Sequence, residues 1–393
     1  MGSMITLSVE NLELDWGKNN VFMNHSRLFL PMDVVLATYF YADEVEEERE
    51  AFVRDLGSVK RRLELLGYSL ENVRRMYEQL VATMASHSDP PPSFQLFADV
   101  VSSIDLDRVP SPEEPPEHFD FGEYVPEILR LAEFNKKHDL SQWQTRDAGY
   151  FFENLDPYIV LRLLLENPTN LKRRLVWRHA DVVVVGWVDA DAVYEGLADR
   201  DRFLVITEGT SDMAILRKAI EMLRPDIVDF FYFVDVDTYP FSGSGGLYRF
   251  CQGLAAIRLQ NKAVAIFDND AVGTSDCTRV RQLPLPPTFR ALQLPALPQL
   301  GKFRCIGPAG TTREDINQRG AAIECYLDLT GPDEPTVRWL SYDKAEDRYQ
   351  GALERKETYT RRFLDLRHRD PAYDFSKLEL VLDRLYDECI QCP

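Results

Sequence analysis

At 393 residues with 45% apolar content, the chain can hold two or three domains that each bury a core, and no run approaches the length of a membrane span. A formal charge of −19 repels phosphate at long range, so contact with nucleic acid needs local basic patches, bound metal or a partner that carries the affinity. Six cysteines, four of them far apart, argue against a disulfide framework, and the lone Cys389-x-x-Cys392 lacks the further ligands of a zinc site.

The opening residues lack a signal-peptide pattern, which makes the cytoplasm the expected location and leaves no membrane role. Ile5 to Val9 and Leu12 to Trp16 alternate apolar and polar residues and predict a small β-meander. From Ala42 the pattern turns helical, with Val45 to Leu66 as one piece, Gly67 as a break and Leu70 to Met84 as the next. His87 to Pro92 and Val109 to Pro116 read as proline-rich loops. Helices are expected from Pro126 to Lys137 and from Pro157 to Asn167, each proline suiting a first turn. Val182 to Val188 is a β-branched run that predicts a strand, and a short helix from Ala190 to Leu197 follows.

After residue 200, strands and helices alternate. Strands are expected at Phe203 to Thr207, Asp229 to Val234, Ala263 to Phe267 and Phe289 to Leu294. Helices are expected at Asp212 to Leu223, Gly246 to Leu259 and Thr274 to Gln282. That order implies an α/β fold with a doubly wound, mostly parallel sheet. Ile316 to Leu327 reads as a helix with a small-residue face, and Glu334 to Pro393 as mainly helical, with Phe375 to Cys389 a good amphipathic helix.

Two strands end in carboxylates: Glu208 and Asp212 follow the first, Asp268 and Asp270 the third. In an open α/β sheet ligands bind beyond the carboxyl ends of the strands, so neighbouring placement would bring these acids to one crevice. Such a cluster repels itself, and a hard divalent cation, Mg²⁺ or Mn²⁺, relieves the repulsion with oxygen ligands.

A strand ending in Glu208-Gly209 with Asp212 three residues beyond the glycine, then a later strand ending in Asp268-x-Asp270, resembles the Toprim domain of topoisomerases, primases and phage-defence nucleases. The resemblance covers about a third of the chain, Asp201 to Thr330. Leu12 to Asn20 (LELDWGKNN) also resembles an N-terminal module fused to Toprim or HEPN nuclease domains in bacterial defence proteins. Together they imply an α+β N-terminal domain over 1–199, a Toprim-like catalytic domain over 200–330 and a helical C-terminal segment over 331–393. They also imply a Mg²⁺-dependent nuclease acting on DNA or RNA in anti-phage defence, its N-terminal domain receiving a protein partner or a second copy.

By that resemblance Glu208 is a metal ligand or general base, with Gly209 expected to allow a tight turn, and Asp268 and Asp270 hold the metal. Asp212 is a further ligand or simply an acid favoured by a helix dipole. Lys302 is the candidate cation for the pentacovalent phosphate, and Glu324 a candidate for a second metal or a helix-surface acid. Asp235, Asp237 and the glycine-rich Phe241 to Leu247 are weaker candidates, as a second Asp-x-Asp and a phosphate loop. Arg174 with His179 and Arg362 with His368 match a loose HEPN ribonuclease spacing, and Lys172 to Arg178 and Arg361 to Arg369 are the most basic stretches. Two other readings remain: a haloacid-dehalogenase-type phosphatase with Asp268 as nucleophile and Asp270 as acid, and a non-catalytic partner protein that keeps the Toprim fold.

Overall fold

Alternation of buried and exposed side chains organises the first part of the chain in the computed structural model. It describes residues 6–10, 12–15, 22–40, 46–84, 91–109, 151–152, 154–184, 186–234, 243–343 and 348–392. The chain divides into two compact units, Met1–Ala198 and Asp199–Pro393.

In the N-terminal unit, β1 (Thr6–Val9) and β2 (Leu12–Asp15) pair antiparallel, as the meander predicts, with Leu7, Val9, Leu12 and Leu14 buried. They join β3 (Val34–Phe40), β4 (Glu46–Asp55) and β5 (Arg174–Arg178) in an antiparallel sheet of order β2-β1-β5-β4-β3. Strand β4 corrects the helix expected from Val45. Its acid-rich start has helical propensity, but hydrogen bonding to β3 on one side and β5 on the other decides the conformation, with Ala51 and Phe52 buried. Helices α1 (Lys60–Leu65), α2 (Leu70–Thr83), α3 (Phe94–Ser103) and α4 (Pro157–Leu164) follow, the last starting at its proline with Asp156 as the cap.

The strand expected at Val182 to Val188 is also corrected: α5 (Ala180–Val184) occupies its start, and Gly186, at φ +71°, turns the chain so that the Trp187 N–H reaches the Val182 carbonyl. The strand position is filled by the preceding residues, where Leu175 and Trp177 are buried. The proline-rich stretch at 110–116, most of 87–92 and the helix expected at 126–137 lie outside the described residues.

The C-terminal unit contains the expected parallel sheet, of order β10-β8-β6-β7. Its strands are β6 (Phe203–Ile206), β7 (Phe231–Phe233), β8 (Lys262–Phe267) and β10 (Phe289–Gln293). Helices α6 (Thr210–Leu223), α7 (Gly243–Ala256) and α8 (Ala271–Arg281) connect them. Strand β8 is buried throughout, which its uninterrupted apolar sequence requires of a central strand.

A second sheet, of order β12-β11-β14-β15, combines β11 (Phe303–Gly307), β12 (Gly310–Glu314), β14 (Thr336–Asp343) and β15 (Arg348–Leu353). The mainly helical reading after residue 331 is therefore corrected: two strands precede helices α9 (Lys356–Leu364) and α10 (Ser376–Cys389). β14 pairs parallel with β11, which ties this segment to the residues before 330. The helix expected at Ile316 to Leu327 is absent too. The two-residue strand β13 (Gly320–Ala321) pairs with β9 (Asn269–Asp270), and a 3-10 turn covers Ile323–Tyr326. Gln318 at φ +59° and a 3.1 Å approach of a Gly320 Cβ position to the Gly351 Cα fix that irregular path. All six cysteines are free and buried, Cys389 and Cys392 included.

Candidate active site

Strands β6 and β8 are hydrogen-bonded neighbours running in parallel, so their carboxyl ends meet. β6 leads into α6 and β8 into α8, and β7 and β10 lie on opposite outer sides, which makes the gap between β6 and β8 the point where the chain's direction of winding reverses. Glu208 stands just beyond β6, and its Oε1 accepts the Asp268 N–H across the gap at 3.1 Å. Asp268 Oδ1 in turn accepts the Ile323 N–H at 3.1 Å, so the first acid of the Asp-x-Asp pair holds the loop that carries Glu324.

Asp270 caps α8, accepting the Gly273 N–H at 2.7 Å, while Gln350 Nε2 donates to its other oxygen at 2.5 Å. Between the two acids, buried Asn269 donates to Asn317 and Tyr326 and accepts the Gln318 N–H, fixing the 315–326 loop. α8 begins against the β8 terminus itself: a Cβ on Gly273 would meet the Asp268 carbonyl oxygen at 2.5 Å, so only glycine fits.

Asp212, in the first turn of α6, accepts the Gly209 N–H at 3.0 Å. Gly209 has φ −148° and ψ 168°, an extended backbone open to any residue, and a Cβ there would make only ordinary contacts. The tight strand-to-helix connection is present, β6 ending at Ile206 and α6 starting at Thr210, but it does not require a glycine. Glu324 is buried in its 3-10 turn with Lys356 Nζ 3.6 Å away. Lys302 is exposed before β11 and carries no hydrogen bond or ion pair among the described residues. Two further charged groups belong to the cluster and escaped the sequence reading: Lys356 and buried Asp276, which Arg279 pairs at 2.7 Å. The Asp276-x-x-Arg279 spacing could have flagged the latter.

The electrostatics are those of like charges taken out of water. Burial, with the charges of Asp270, Asp212 and Asp276 added, pushes Glu208 up to about 8 against the pull of the Asp268 N–H. Burial and the Glu324 charge raise Asp212 to about 6. Burial, then the charges of Asp212 and Glu208, hold Asp268 well above the usual carboxylate range. Asp270 is raised by burial, though the Gly273 N–H and the Gln350 amide pull the other way. The Glu324 charge raises Lys356, whose ammonium in turn draws Asp212 down.

Each of Glu208, Asp212, Asp268 and Asp270 accepts a backbone N–H, and no three His, Cys, Asp or Glu side chains among the described residues form a group able to hold a metal ion as they stand. The oxygen-only donors and their uncompensated charge nevertheless suit a hard divalent cation. Asp235 and Asp237 lie outside the described residues, as does the start of the glycine-rich stretch at 241–247.

The HEPN-like spacings do not form sites. Arg174 opens β5 while His179 is buried among Phe52, Trp177 and Tyr194, its pKa lowered by burial. Arg362 holds the carbonyls of Asp328 and Thr330, and His368 is exposed. No helix among the described residues is long and apolar enough to cross a membrane.

The C-terminal unit is thus an α/β unit with a carboxylate cluster at the ends of adjacent parallel strands. Residues 1–201, just over half of the chain, match the family model described as HEPN/Toprim N-terminal domain 1, and the chain belongs to that family. No curated protein and no solved structure matches it.

Proposed function

We propose that the chain is a Toprim-type nuclease that hydrolyses phosphodiester bonds of DNA or RNA with a divalent metal ion, and that it serves as an effector of anti-phage defence. One observation carries the reading: Glu208 and Asp268 lie side by side at the ends of β6 and β8, joined by a hydrogen bond, with Asp270 and Asp212 close enough to raise their pKa values. The family's name pairs the N-terminal module with HEPN and Toprim domains, which is the company a nuclease keeps.

Glu208, Asp268 and Asp270 would hold Mg²⁺ or Mn²⁺, with Asp212 and Glu324 on the side of a second ion. When bound, the ion would neutralise the cluster and polarise phosphate and water. Glu208, raised to about 8 without metal, would lose its proton when an ion binds and could then serve as ligand or as general base toward water. Lys356, whose ammonium lies 3.6 Å from Glu324, replaces Lys302 as the cation for the developing phosphate charge. The N-terminal unit would receive the partner or second copy that brings this site to its substrate.

A phosphatase using Asp268 and Asp270 leaves the Glu208 contact without a purpose. The deciding experiment incubates the purified chain with labelled single- and double-stranded DNA and RNA, with Mg²⁺ or Mn²⁺ present or chelated. Cleavage that needs the metal and is lost by about 10²–10⁴-fold in Glu208→Gln supports the nuclease. Hydrolysis of a small phosphomonoester by Glu208→Gln, with no action on polynucleotides, would replace it with the phosphatase.

A further inference from the structure

The sheet formed by β12, β11, β14 and β15 buries one face, where Cys305, Val337 and Leu353 lie, and leaves much of the other accessible, Thr336 on it being buried. Side chains alternate along each strand and register partners point the same way. Arg304 of β11 is partnered with Arg313 of β12, and Ile306, two residues on, with Arg338 of β14. Arg338 is partnered with Ala352 of β15, which puts Gln350 and Arg348 on the same side. The accessible face therefore carries an arginine on each of its strands, within a chain of net charge −19.

On β15, Arg348 stands opposite Asp343, while the other three arginines have exposed partners or none. Arg338 pairs with Glu354 at 2.6 Å and Arg313 with Glu334, all four side chains well exposed, and Arg304 has no hydrogen bond or ion pair among the described residues. The face also runs into the acid cluster: Gln350 donates to the Asp270 carboxylate and accepts the N–H groups of Ala271 and Val272 at the start of α8.

We infer that this face is the backbone track of a polynucleotide substrate, its guanidinium groups holding successive phosphates and Gln350 marking where the strand enters the carboxylate site. The inference rests on the nuclease reading and deepens it by naming where the substrate lies and how it is held. Arginine forks bind phosphate in two-point contacts and read no bases, so the track is independent of sequence.

The test measures equilibrium binding of the full chain, with metal chelated to stop cleavage, to labelled random-sequence single-stranded DNA, duplex DNA and RNA over a salt series. Separate polymers show whether the track takes DNA, RNA or both. Arg304→Gln with Arg338→Gln should weaken binding at least about tenfold and reduce the log–log salt slope by about 1.4 for single strands or 1.8 for duplex. Glu334→Gln with Glu354→Gln should tighten it, an outcome that loss of folding cannot produce. Unchanged affinity and slope in both double variants, with wild type binding and cleaving, would overturn the track and leave the nuclease standing. A wild-type chain that neither binds nor cleaves any of the polymers would overturn both.

Discussion

Two clusters, one in each unit, treat buried charge in opposite ways. In the N-terminal unit, buried Arg162 sits between Glu64 at 2.7 Å and Glu166 at 2.6 Å. Fully buried His25 has Tyr158 on one ring nitrogen at 3.0 Å and Asp15 on the other at 2.8 Å. At the ends of β6 and β8, by contrast, Glu208, Asp212 and Asp268 face one another with one lysine nearby. Paired charges serve folding, whereas unpaired like charges destabilise the fold and persist where a site needs them. The contrast supports the proposal that binding and chemistry belong to the second unit.

The strongest way to sharpen the comparison is to remove an acid. The folded-state pKa values of Glu208 and Asp212 are raised above their unfolded values. Their ionisation therefore costs nothing below pH 4, and stability falls as pH rises through about 6 and 8. Asp268→Asn keeps the acceptor for the Ile323 N–H and removes an acid that folding must hold protonated or bury charged, so it should stabilise the metal-free protein by about 1–4 kcal/mol at pH 8 and far less at pH 5. Urea unfolding at the two pH values checks this, and cleavage should be lost in the same variant.

The same measurement on Glu64→Ala should show the reverse sign. Buried Arg162 keeps only Glu166, and the loss should be about 2 kcal/mol, below the roughly 3–5 of a fully orphaned charge. Smaller still is the contrast inside the site. Gly273→Ala drives a methyl group into the Asp268 carbonyl and should cost about 1–3 kcal/mol, while Gly209→Ala should change stability by less than about 0.5 kcal/mol. Thermal unfolding of the pair separates a glycine required by close packing from one that is not.

What the sequence shows of this molecule follows from how local the signal is. Strands β6 and β8 are continuous apolar runs closed by acids, so both the strands and Glu208, Asp268 and Asp270 could be read directly. β4 could not, because its Glu-rich start looks helical until β3 and β5 are known to flank it. β14 and β15 alternate only moderately and carry several charged residues, and their pairing with β11 is long-range. Lys356 and Gln350 reach the site from that late segment, and no spacing in the chain ties them to Asp212 or Asp270. Lys302 had the position expected by resemblance and ended on the surface.

The central claim is that the carboxylates at the ends of β6 and β8 form one cluster whose repulsion a divalent cation relieves. Titration calorimetry of the purified full chain with Mn²⁺ at pH 7, in buffers of different ionisation enthalpy, tests it most directly. Binding should release protons, because Glu208 and Asp268 hold them in the metal-free state, and Asp268→Asn should abolish or strongly weaken it. Absence of Mn²⁺ binding, or binding that is proton-neutral and survives Asp268→Asn, would contradict the account.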